Sequence, residues 1–259
     1  WTENVGNPDV GVLDSTDIRN PLFKNNVVGT YVFDLNYTDH NNCMASYRTT
    51  IILDSLPVVY AGADDEICLP NTMTSYTFSA TSSIGAGMWS KISGPGTMTY
   101  DDVTSPTATV SGLQTGFCYE FEWAVSNGSI PCISRDTVVI CVLTAPNAGT
   151  DQDVCGTSTT MTGNTPANMG ETGTWTQLTG PNTPIITDPN DPTTTITGML
   201  TESVYTFEWR IANMVCSLAD TLIINTFEQP ISMTGADQYL CGVTTSMLYG
   251  VKNIGSGMW

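Results

Sequence analysis

Histidine and basic side chains are almost missing from this chain. One histidine, His40, stands among 259 residues, and 7 Lys and Arg face 25 Asp and Glu, for a formal net charge of −18. His40 lies in the polar stretch YTDHNNC (37–43) between two strand-like patterns, which reads as a solvated loop. A single histidine there leaves no Ser–His–Asp or Cys–His constellation and no zinc cluster, and no C-x-x-C pair replaces it. The surplus of carboxylates repels phosphate backbones and anionic bilayers, which excludes nucleic acid as a partner. No apolar run approaches the ~20 residues needed to span a bilayer, so direct membrane insertion is not expected. No phosphate-binding glycine loop leads from a strand into a helix. Paired carboxylates are plentiful but sit at turns and strand exteriors, away from the arrangement that glycoside hydrolysis needs. The chain reads as non-catalytic. Its first residue is not Met and no signal peptide precedes the first pattern, which reads as an interior piece of a larger mature protein.

What is present is a repeat. Trp1, Trp89, Trp175 and Trp259 are spaced 88, 86 and 84 residues apart, and the first three are each followed five residues later by glycine (Gly6, Gly94, Gly180). WSKISGPGT matches WTQLTGPNT, SPTATVSGL (105–113) matches DPTTTITGM (191–199), and CYEFEWAVSN (118–127) matches VYTFEWRIAN (204–213). RDTVVI (135–140) and ADTLII (219–224) follow in phase after RTTII (48–52). AGADDEIC, AGTDQDVC and TGADQYLC open successive units as G-x-D-x-x-x-C. The remaining tryptophans, Trp123 and Trp209, share one repeat position, held by Leu35 in the earlier copy.

Each unit is built of short runs rich in Thr, Val, Ile, Tyr and Trp. In Tyr119-Glu120-Phe121-Glu122-Trp123 the aromatics share one face and the carboxylates the other, the period-2 signature of a half-buried strand. Gly, Pro, Asn and Asp punctuate the intervals, and no 3.6-residue apolar period is sustained. The expected fold is all-β: tandem immunoglobulin-like (PKD-like) β-sandwich repeats of about 86 residues. The expected boundaries are 1–56, the C-terminal part of a repeat; 57–143 and 144–229, complete repeats; and 230–259, the N-terminal part of another. Trp1, Trp89, Trp175, Trp259, Trp123 and Trp209 are expected in the core. An exposed aromatic platform for sugar rings is the weaker reading.

Eight cysteines without metal spacing indicate disulfides and an extracellular, oxidising location. Cys68, Cys155 and Cys241 open the first strand of successive units, while Cys43, Cys132 and Cys216 lie just before the last strand. Pairing within complete units gives Cys68–Cys132 and Cys155–Cys216, each stabilising by about 4 kcal/mol in a chain-entropy account. Cys43 and Cys241 are then left to partners outside their own units. Cys118 and Cys141, which have no counterpart in the third copy, are expected to bridge neighbouring antiparallel strands.

The AGxDxxxC opening, GxW…SGP, SPTATVSGL, YEFEWAVSNG…C and RDTVVI resemble the PKD-like, immunoglobulin-like repeats of giant bacterial cell-surface adhesins. Proteins of that kind are exported by type IX secretion and include the gliding-motility adhesins. The resemblance covers nearly the whole chain, strongest over 57–229. It implies a cell-surface stalk or filament segment whose partners are neighbouring repeats of the same or identical chains, with a surface ligand it does not specify. Two other readings stand beside it. One is a repeat-borne glycan- or protein-binding module. The other is a subunit polymerising through its incomplete ends, with Cys241 meeting Cys43 of a neighbour.

Asp64, Asp151 and Asp237 recur in the G-x-D openings. Calcium is the cation such carboxylates would suit, and no other cofactor is expected; the alternative is a turn in which Asp bonds its own backbone. Asn36 and Asn127 head N-glycosylation sequons, and Asp14, Asp54, Asp136 and Asp220 begin short acidic-hydroxyl motifs that resemble O-glycosylation sites of type IX-secreting bacteria.

Overall fold

A computed structural model describes residues 1–68, 75–128, 132–242, 245–253 and 255. Every named element is a strand. The first unit comprises β1 (Thr2–Glu3), β2 (Gly29–Thr38) and β3 (Met44–Leu53). The second comprises β4 (Val59–Tyr60), β5 (Asp65–Ile67), β6 (Ser75–Thr77), β7 (Thr81–Ser82), β8 (Ala86–Ser93), β9 (Thr99–Tyr100), β10 (Thr109–Ser111), β11 (Cys118–Asn127) and β12 (Cys132–Val142). The third comprises β13 (Gln152–Cys155), β14 (Ser158–Thr160), β15 (Thr172–Thr179), β16 (Ile185–Ile186), β17 (Thr195–Thr197), β18 (Ser203–Ala212) and β19 (Ser217–Phe227). Two short strands follow, β20 (Ser232–Thr234) and β21 (Gly250–Lys252).

The second and third units share one architecture. A four-stranded sheet ordered β5-β12-β11-β8 accompanies the three-stranded sheet β6-β10-β9, and β13-β19-β18-β15 likewise accompanies β14-β17-β16. The long hairpins β11–β12 and β18–β19 are antiparallel, but the first strand of each unit runs parallel to the last. Asp65, Glu66 and Ile67 pair with Ile140, Cys141 and Val142, and Gln152 to Cys155 pair with Ile224 to Phe227. This is the all-β, immunoglobulin-like sandwich, repeated in tandem.

The cores follow from strand alternation. Tyr119, Phe121, Trp123 and Val125 of β11 are buried, as are Tyr205, Phe207, Trp209 and Ile211 of β18. Trp123 lies opposite Trp89 in the ladder and Trp209 opposite Trp175, with ring centroids 5.1 and 5.0 Å apart. The glycine of each G-x-W, Gly87 or Gly173, lies where an added methyl would overlap the ring of Trp123 or Trp209. The motif is therefore a steric notch: glycine leaves the space that the partner strand's tryptophan fills. Trp1 is half-buried at the edge of a smaller core of Val12, Tyr31 and Phe33. Trp259 lies outside the described residues.

Three tyrosines at one repeat position reach back to loop backbone. The Tyr119 and Tyr205 hydroxyls accept bonds from the Gln114 and Leu200 amides, both at 2.7 Å. Tyr31 donates to the Val27 carbonyl at 2.6 Å. Each fixes the loop leading into its long strand, as the tyrosine corner does in immunoglobulin sandwiches. Burial, with Asp9 nearby, raises the Tyr31 hydroxyl above its ordinary pKa.

Candidate functional site at the repeat junction

No linker separates the second unit from the third. Val142 is buried in one core and its neighbour Leu143 in the next. The Leu143 amide donates to the Ile67 carbonyl at 2.9 Å, so the strand that opens the second unit also braces its exit. Glu171, from the loop before β15, closes the seam. Its carboxylate accepts from the Thr144 amide at 2.9 Å, the Thr144 hydroxyl at 2.5 Å and the Asn168 side chain at 2.9 Å. Asn168 also donates to the Val142 carbonyl at 2.8 Å.

Burial pushes the Glu171 carboxyl up, but the bonds from Thr144 and Asn168 outweigh it and hold the group below its ordinary value of 4.5. A depressed folded pKa contributes stability that is present above the unfolded value and is lost as pH falls through the folded one. Glu171→Gln is therefore expected to cost about 1 kcal/mol at neutral pH, below the usual range for a charged acceptor because the partly buried group is still screened by solvent. The gap between variant and parent should close on acidification below that ordinary value. Thermal melts across pH 3–7 check this, and a gap of constant size would count against the seal.

The junction also carries a disulfide that spacing had placed elsewhere. Cys68 is bonded to Cys216, with Cα atoms 6.2 Å apart and a sequence separation of 148. The bond crosses from the second unit to the third, whereas Cys68–Cys132 and Cys155–Cys216 were expected within units. The cause is the parallel pairing of the first strand. Cys68 follows Ile67, which pairs with Val142 at the downstream end of β12, while Cys132 begins that strand. Cys155 pairs with Phe227 at the downstream end of β19, while Cys216 immediately precedes its upstream end. At about 3.3 Å per residue, the expected partners lie roughly 30 Å apart, against the 4.4–6.8 Å usual for a cystine. Cys132 and Cys155 are unpaired, as are Cys43 and Cys241.

Cys118 and Cys141 lie directly opposite in the β11–β12 ladder and are bonded, with Cα atoms 4.0 Å apart.

The recurrent aspartates hold the first strand to the last. Asp64 accepts from the Val139 amide at 2.8 Å and Asp151 from the Ile223 amide at 2.9 Å. In return, Asp136 and Asp220 of the D-T motifs accept from the Ala61 and Ala148 amides, both at 2.8 Å. Each strand pair is thus closed by two reciprocal carboxylate–amide bonds. The G-x-D aspartate does not bond its own backbone; its partner lies about one unit length away. Gly62 and Gly149 before it have φ of 112° and 90°, a region open chiefly to glycine, which turns the chain into the strand. Asp237 is exposed. Among the described residues no three His, Cys, Asp or Glu side chains gather as a metal site. His40 is exposed in the β2–β3 turn. The sequon at Asn127 extends to Ser129, outside the described residues, and Asn127 itself donates to the Ser55 carbonyl at 3.1 Å, bridging the first two units.

No protein-family profile matches the chain. Solved structures that are similar include extracellular domains 3–5 of Drosophila OTK, 13% identical over 77% of this chain and 71% of that one, with a TM-score of 0.37. The titin I-band fragment I67–I69 is 12% identical over 70% and 75%, with a TM-score of 0.40. The PKD domain of the KIAA 1837 protein is 28% identical over 35% and 92%, with a TM-score of 0.28. Sheet order, paired cores and tyrosine corners in this chain make it a tandem immunoglobulin-like repeat module.

Proposed function

We propose that the chain is a non-catalytic structural segment of a long extracellular bacterial adhesin, a disulfide-stiffened shaft that projects from the cell surface. The carrying observation is the seam: adjacent residues, Val142 and Leu143, serve the cores of successive units. A junction with no free residue, sealed by Glu171 and stapled by Cys68–Cys216, resists bending where a flexible linker would absorb it. The two disulfides favour an oxidising, extracellular setting. The resemblance of the repeat motifs to those of gliding-motility adhesins is what supports a bacterial surface and type IX export.

Trp89, Trp123, Trp175 and Trp209 are each at most 2% exposed, which removes them as a sugar-stacking platform. Small-angle scattering of the oxidised chain tests the shaft. A single extended conformation across the second and third units is expected. A broad, bead-on-string distance distribution would overturn it.

A further inference from the structure

The two disulfides differ in what depends on them. Cys118 and Cys141 stand directly opposite each other in the antiparallel β11–β12 ladder. In the third unit Val204 and Asn225 hold the matching ladder position, and β18–β19 keeps its hairpin register with no covalent tie. The sandwich therefore forms without this bond. Access differs as well. Cys68 and Cys216 are half-buried and pack against the core of the third unit, whereas Cys118 is exposed. Exchange begins with a thiolate reaching a disulfide sulfur, so access decides which bond opens first.

The charges beside this bond are negative. Glu66 pairs with Cys141 across the parallel β5–β12 ladder and so shares its face. Glu120 follows Cys118 on the same face of β11, where burial alternates strictly. From the third unit, the Asn168 side-chain oxygen lies 3.7 Å from the Cys118 sulfur, and its nitrogen donates to the Glu171 carboxylate at 2.9 Å.

We propose that Cys118–Cys141 is a modification site for small cationic thiols, amino thiols of the cysteamine class, which attach to Cys118 by exchange. The incoming thiolate attacks the exposed Cys118 sulfur. A new bond forms between the two, the Cys118–Cys141 bond breaks, and its electron pair leaves on the Cys141 sulfur, which takes a proton from water. The ammonium of the amino thiol, held among Glu66, Glu120 and Glu171, offsets the negative charge that builds on the departing sulfur. An anionic thiol such as glutathione meets the same carboxylates as repulsion. A second amino thiolate attacks the adduct, releases Cys118 as a thiolate that is then protonated, and leaves as the small disulfide; the two protein thiols carry the two electrons. The freed Cys118 thiol has an acceptor in place, the Asn168 Oδ1. Cys118 and Cys141 both lie between Cys68 and Cys216 in sequence, so exchange leaves the inter-unit staple closed. The site thus goes beyond the shaft reading and does not depend on it.

The test treats the oxidised full chain with cysteamine, 2-mercaptoethanol or glutathione at equal thiolate concentration. Acid quenches the reaction, and mass spectrometry maps adducts and opened bonds. Cys118–Cys141 is expected to open roughly tenfold or more faster than Cys68–Cys216, with the adduct on Cys118. At low salt cysteamine should outrun glutathione by roughly tenfold, with 2-mercaptoethanol between them, as two nearby carboxylates dictate. High salt should narrow that gap, because the groups are not deeply buried. The double variant Glu66→Gln, Glu120→Gln should remove most of it. Tryptophan fluorescence should stay that of the parent once the bond is open, as the third unit's hairpin stands without one. Equal opening of both disulfides, adducts confined to Cys141, equal rates for the three thiols at low salt, or an unfolded spectrum on opening would each overturn the site.

Discussion

Stretched by its two ends, the oxidised chain is expected to stop roughly 500 Å short of the length it reaches after reduction. Cys68 and Cys216 are 148 residues apart, and an extended chain spans about 3.4 Å per residue. Force entering at the N-terminus passes through the first unit to Cys68, crosses the sulfur bridge to Cys216, and leaves along β19. Nearly all of the second unit and most of the third lie inside the bypassed loop, including all four buried tryptophans. Cys118–Cys141 falls within that loop and hides no further length. Single-molecule stretching with and without reductant measures the difference directly. Oxidised Cys68→Ser should recover all of that length except the roughly 80 Å still held by Cys118–Cys141, and equal lengths in both states of the parent would refute the inter-unit bond. In the chain-entropy account, closing a loop of this size also stabilises the folded state by about 5 kcal/mol, so the variant should melt well below the parent.

Trp209→Ala is expected to destabilise the third unit by about 3–5 kcal/mol, the range for removing a fully buried aromatic side chain. For a domain near this size each kcal/mol is worth about 4–8 °C, so calorimetry should show a fall of at least 12 °C. Gly173→Ala is expected to be severe for the complementary reason: the new methyl would overlap the Trp209 ring across the ladder. The two changes should not add. With Trp209 already cut back, alanine at 173 meets no ring, and the double variant should be scarcely less stable than Trp209→Ala alone. Additive losses would show that the glycine serves another purpose. Gly87 and Trp123 form the same couple in the second unit.

The alternation of Tyr119-Glu120-Phe121-Glu122-Trp123 was enough to orient β11, because burial on one face demands period 2 and little else produces it. The repeat phase likewise identified the tryptophan positions, four of which are buried. The cysteine pairing was not legible in the same way. Spacing locates Cys68 near a first strand and Cys132 near a last strand, but it is silent on whether those strands run the same way. Parallel pairing sends the two cysteines to opposite ends of the sheet, and that decides the partner. The local-turn alternative for Asp64 and Asp151 fails on a related point: their amide partners lie 75 and 72 residues away, beyond any local turn rule. Tyr31, Tyr119 and Tyr205 were in phase and offered a signal for the corner. Glu171 offered none, since Gly85 holds its place in the preceding copy.

The parallel pairing of first and last strands has a mechanical meaning as well. Once Cys68–Cys216 is reduced, tension along the chain pulls the upstream end of β13 one way and the downstream end of β19 the other, so the two strands are drawn past each other lengthwise. Their ladder bonds and the Asp151 and Asp220 clamps then carry the load together, in shear, instead of parting one after another like a zipper. A unit tied this way yields only when several bonds fail at once.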